Sequence, residues 1–158
     1  MTRRFRTLPA ITLSVALALA LALGGCGGTS RVSSAFATRE AAGAAVPSWV
    51  PSPATELKLQ AEPASGAFWL RFRLPGAERP ALEGELLRIP DGQVATLTFR
   101  VPKGADWWFR GLVQVVPARE RTVIAADVFS GAGRAVPQRT FVAFDRASDT
   151  VYAWTAGR

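Results

Sequence analysis

Few residues in this 158-residue chain can do chemistry. It has no histidine and a single cysteine, Cys26. The usual general base and the commonest metal ligand are therefore missing, and one cysteine makes neither an internal disulfide nor a thiolate zinc site. Twelve acids are scattered along the chain, and a paired-carboxylate hydrolase would draw on Asp106, Glu120, Asp127 or Asp145. Asp127 is the most distinctive, because it lies within the apolar run "IAADVF". Alternation places it with Val123, Ala125 and Phe129; if that face is buried, the carboxylate needs an arginine partner. If the face is the solvent side of a small-residue strand, it needs none. Lys58 or Lys103 could serve a Ser–Lys dyad, but no motif marks one. "GAGRA" (131–135) leads into Pro137 rather than a helix, so it is not a phosphate loop. These residues assign no catalytic group, metal or cofactor.

Binding chemistry is better represented. Trp69, Arg71 and Arg73 share one face of "FWLRFRL", where an arginine beside an indole makes a cation–π contact or meets an anionic ligand. The adjacent pair Trp107 and Trp108 offers an aromatic platform for a glycan, peptide or lipid. The plainer alternatives are a solvated strand face for the first group and structural plugs for the second.

The elements that would position these groups begin with an export-type N-terminus. Arg3, Arg4 and Arg6 precede a thirteen-residue apolar stretch, Ile11 to Leu23, which suits a signal-peptide core and is too short for a membrane span of about 20 residues. Small residues then lead to Cys26. "LGGC", Leu23 to Cys26, resembles the lipobox of bacterial lipoproteins: an aliphatic residue, two small ones and the cysteine. The resemblance implies acylation of Cys26, palmitate included, and cleavage just before it. Gly27, in place of Asp, implies sorting to the periplasmic face of the outer membrane by analogy with enterobacterial lipoproteins. Two or more acyl chains make such an anchor persistent.

Three of the cations fall in the first six residues, so the formal charge of +7 drops to +4 once residues 1–25 are set aside. The rest are interspersed with acids, without a run of three, which argues against a nucleic-acid partner. Residues 26–48 read as the lipidated cysteine and a flexible tether, small and polar, with an r.m.s. reach of roughly 25 Å. Residues 49–158 read as a single β-rich domain. Its nine prolines break long helices, and period-two alternation marks strands in 55–60, 68–74, 96–101, 109–116, 121–129, 140–145 and 151–155. "DRASDT" (145–150) reads as the turn joining the last two. Helix is expected from Pro80, with Leu82, Leu86 and Ile89 on one face, and as a single turn at "GADWW". The predicted fold is α+β: an antiparallel sheet of six or seven strands crossed by one short amphipathic helix, with an all-β sandwich or barrel as the alternative.

The set "PSWVPSPATEL", "FWLRF", "DWW" and "VAFDRASDTVYAW" resembles small uncharacterised exported bacterial proteins carrying W-x-P, W-x-x-F and V-Y-x-W motifs. That resemblance implies a domain boundary and no activity. The function expected is that of a non-catalytic envelope lipoprotein, membrane-anchored through Cys26, that binds or assembles with an envelope protein, glycan or lipid. The alternative is a lipid-tethered hydrolase using carboxylates or a Ser–Lys pair. Binding of an anionic polymer through Arg71 and Arg73 is a third possibility.

Overall fold

The computed structural model describes residues 31–108, 113–116, 120–123 and 126–155. Cys26, the signal segment and the start of the expected tether lie outside them.

Seven strands form one antiparallel sheet: β1 (Val32–Thr38), β2 (Thr55–Glu62), β3 (Ala67–Arg73), β4 (Leu86–Arg88), β8 (Ala126–Gly131), β9 (Thr140–Asp145) and β10 (Thr150–Thr155). Their spatial order is β1-β2-β3-β10-β9-β8-β4. Three short strands, β5 (Thr98–Arg100), β6 (Val113–Val116) and β7 (Glu120–Val123), make a second sheet in the order β5-β7-β6. The helices are α1 (Arg39–Ala42), α2 (Arg79–Glu83) and α3 (Asp91–Val94), each about one turn. An antiparallel sheet of the predicted size, with minor helix, is therefore the architecture.

Alternation along the strands sorts side chains onto two faces, and both are covered. Leu57, Leu59, Leu70, Phe72, Val142, Phe144, Val151 and Ala153 pack under α1, the 46–54 loop and Leu82 of α2. On the other face Trp69, Val128, Ala143, Tyr152 and Trp154 pack under Val94, Phe99 and Trp108. A period of two shows that strand faces differ; it does not show that the second face is wet. Trp69 was placed with Arg71 and Arg73 on a solvent face, and it is 2% exposed because residues 89–108 cross over it.

Four other expectations are corrected. The tether expected over 26–48 contains β1 and α1, and β1 pairs with β2 from Val32↔Ala61 to Thr38↔Thr55. Its residues are small because an edge strand with one half-buried face needs little side-chain volume; Phe36 alone reaches the core. The helix from Pro80 stops at Glu83. Gly84 and Glu85 turn the chain, and Leu86 goes into strand pairing with Gly131 instead of a second helical turn. The run 121–129 divides into β7 and β8, which join different sheets. At "GADWW" a turn replaces the helical turn, with the Trp108 amide donating to the Ala105 carbonyl.

Two backbone positions explain local sequence. Gly66 closes the β2–β3 turn at φ 65°, in the left-handed region that glycine enters without strain. At Gly131 a Cβ would lie 2.1 Å from the Pro137 carbonyl oxygen, so the 132–139 loop packs directly on the strand backbone.

Candidate functional site

Strand register gives the large sheet two ends. Val32, the 63–66 turn, Gly131, Thr140 and Thr155 lie at one, which is also where the chain comes in from residue 31. Thr38, Thr55, Arg73, Asp145 and Thr150 lie at the other. Each end carries an ion-pair centre.

At the first end Glu62 closes β2 with its side chain 2% exposed. The Arg31 Nε donates to its Oε1 at 2.6 Å, Arg100 pairs with its Oε2, and the Ser65 hydroxyl donates at 3.2 Å. Burial by itself would raise the Glu62 pKa, but the two guanidinium groups hold it below the ordinary carboxylate value. Arg100 also lies over the Trp69 ring, 5.6 Å from its centroid, and the Trp69 indole N–H donates to the Arg100 carbonyl at 2.7 Å. Glu62 thus ties the incoming chain, the large sheet and β5 together. Beside it an apolar groove of about 280 Å³ is lined by Val46, Pro47, Leu59, Pro63 and Phe68.

At the opposite end Asp127 has the arginine partner that burial demands, three times over. Arg79 donates at 2.6 Å, Arg146 at 3.1 Å and Arg88 at 3.5 Å, while Arg79 also holds Glu83 at 2.6 Å. Burial again opposes ionisation, and the pairs with Arg79 and Arg146 outweigh it, so the Asp127 pKa is lowered. Arg79 stands over the Phe144 ring at 4.7 Å and borders a cleft of about 320 Å³ with Asp145, Ser148 and Asp149. Asp145 is occupied locally: its carboxylate accepts from the Ala147 amide at 2.8 Å and the Ser148 hydroxyl at 2.7 Å, which fixes the expected β9–β10 turn.

The proposed binding surface of Trp69, Arg71, Arg73, Trp107 and Trp108 is not a single patch. Trp69 and Trp108 are buried, and Trp107 is half-buried against Trp108, with ring centroids 5.6 Å apart. Trp108 packs edge-on against Tyr152 and Trp154, so the pair is a core plug rather than a platform. Arg71 is half-buried and hydrogen-bonds the Tyr152 hydroxyl; Arg73 is exposed and pairs with Glu56 at 3.3 Å.

The candidate hydrolytic groups are also dispersed. Asp106 is exposed near the Trp pair, Glu120 is on β7 opposite Arg100, and Lys58 lies across from Arg71 on β3. The Lys103 carbonyl accepts from the Gln60 amide at 3.0 Å. Among the described residues, no three His, Cys, Asp or Glu side chains are grouped as metal ligands would be. Glu62 was missed by sequence reading. Its signal was its place in "KLQAE", on the face opposite Leu57 and Leu59, which becomes buried only because the second face is covered.

No protein-family model, curated protein or solved structure matches this chain.

Proposed function

We propose that the protein is a lipid-anchored component of a bacterial envelope, non-catalytic, that assembles with another envelope component. The observation that carries this reading is the run of basic segment, thirteen-residue apolar core and "LGGC" in register, ending six residues before β1. Acylation of Cys26 would fix the sheet at a membrane surface. Two of the carboxylates named above support a structural use of charge. Glu62 and Asp127 are each tied to two or more arginines, which holds them ionised instead of poised near neutral pH as a general acid would be.

Assembly is favoured over simple display by the β1 edge. Val32–Thr38 is a seven-residue outer strand containing neither charge nor proline, the devices that usually blunt an exposed edge. An extended segment of a partner protein could add to it as a further strand, with backbone hydrogen bonds supplying the affinity.

The test is palmitate labelling and membrane fractionation of wild type and Cys26→Ser, with a photocrosslinker placed at Ser34 on β1. Wild type should label and sediment with membranes, and Cys26→Ser should do neither. Membrane retention of Cys26→Ser overturns the anchor. Crosslinking at Ser34 that captures no protein overturns assembly through β1.

A further inference from the structure

We infer that the sheet end where the chain comes in from residue 31 docks on the anionic phospholipid surface of the anchoring membrane, so that the domain stands in one orientation. The inference rests on Cys26 being the lipid anchor and adds the surface that meets the headgroups.

The first ground is reach. Arg31 is held at this end by Glu62, so only the five Cα–Cα links from Cys26 to Arg31 are free, and they span at most about 17 Å when fully extended. Seven-residue β1 is itself about 23 Å long at ~3.3 Å per residue. The tether is shorter than the strand it would have to fold back along, so the opposite end of the sheet cannot face the bilayer end-on while the anchor is inserted.

The second ground is charge. The near end carries Arg31 and, on the 132–139 loop, the exposed Arg134 and Arg139. Of the acids there, Glu62 is already tied by Arg31 and Arg100, and half-buried Glu85 lies at the far edge next to β4. The opposite end has the reverse balance: Glu56, Glu83, Asp91, Asp127, Asp145 and Asp149 outnumber the four arginines paired among them, Arg73, Arg79, Arg88 and Arg146. A basic end beside the anchor and an acidic end away from it is the polarity that an anionic leaflet selects. Each basic residue near such a surface strengthens binding about fivefold, and the effect fades within a Debye length of about 8 Å.

The third ground is apolar surface at the same place. Val32, 51% exposed, and the groove of Val46, Pro47 and Phe68 adjoin the 63–66 turn. Basic residues rimming exposed apolar ones are what an interfacial contact requires.

The experiment uses the mature lipidated protein in phosphatidylcholine vesicles with and without phosphatidylglycerol. Cys26 is blocked by its lipid, so a cysteine introduced at Ala64 on the near turn, or at Ala77 toward the far end, is the sole free thiol for a fluorophore. Headgroup spin-labelled lipid should quench the Ala64→Cys label and leave the Ala77→Cys label bright. A second form with a long Gly-Ser insert after Gly28 removes the tether's constraint. Its quenching at position 64 should persist on anionic vesicles and vanish on neutral ones. In that form Arg134→Gln with Arg139→Gln should weaken docking about 25-fold, following about fivefold per residue. Both side chains are exposed, and circular dichroism checks that the fold is kept. Equal quenching at both positions, or docking of the long-linker form indifferent to lipid charge, overturns the inference while leaving the anchor intact. Absence of palmitate on Cys26 overturns the anchor, and the inference with it.

Discussion

Replacing Glu62 by Gln tests the reading that one buried carboxylate joins three parts of the molecule. The substitution keeps the shape and removes the charge that Arg31 and Arg100 share. Loss of one partner from a fully buried pair costs about 3–5 kcal/mol. Here the side chains of Arg31 and Arg100 are 30% and 48% exposed, so both can turn to water and recover part of that loss. The expected cost is therefore about 2–3 kcal/mol at neutral pH, a fall in Tm of about 8–12 °C for a domain of this size. The pH dependence is the sharper readout. The folded-state pKa of Glu62 lies below its unfolded value, so its stabilisation is complete above the ordinary carboxylate range near 4.3. It is lost as pH falls from there through the folded value. Thermal melts of wild type and Glu62→Gln should stay separated from pH 7 to about pH 5 and converge below about pH 4. A variant with wild-type Tm at pH 7, or a gap constant into acid, would refute the proposed role of the carboxylate.

Two further substitutions probe other parts of the sheet. Gly131→Ala drives a methyl into the Pro137 carbonyl and should cost about 3 kcal/mol or more, lowering the urea midpoint by about 1–2 M. Asp127→Asn should cost only about 1 kcal/mol, because its arginines are one-third exposed or more. A double-mutant cycle in urea should find coupling of about 0.5–1 kcal/mol between Asp127 and Arg79, and almost none with Arg88, which is 61% exposed at 3.5 Å. Stronger coupling to Arg88 than to Arg79 would contradict that ranking.

Strand positions in the large sheet were legible because alternation is a local signal. Leu57 and Leu59 alternate with Glu56 and Lys58, and Leu70 and Phe72 with Arg71 and Arg73, and all four point into the core. Asp127 was legible in part: its apolar neighbours called for an arginine, although sequence could not say that Arg79 arrives from α2, 48 positions away. What failed was non-local. Trp69 alternates with arginines like a surface residue, and only the crossing of residues 89–108 makes it core. β1 escaped notice because Ser33, Ser34 and Ala35 have a linker's composition; pairing with β2 makes them a strand. Leu86 satisfied helical spacing from Leu82, and the available edge of β8 decided otherwise.

The central position of β10 has a consequence for the order of events in folding. β1, β2 and β3 are neighbours in sequence and can pair as soon as they exist, yet β3 then waits for residues 150–155, about eighty positions later. Val151 and Ala153 serve one face, and Tyr152 and Trp154 the other, so a single late segment completes both cores. A chain threaded N-terminus first through a membrane would remain incompletely folded until that segment had passed. Long-range pairing of this kind is slow, because the loop must close before any contact rewards it. The same placement that welds the finished sheet keeps the unfinished chain pliable until its last strand is made.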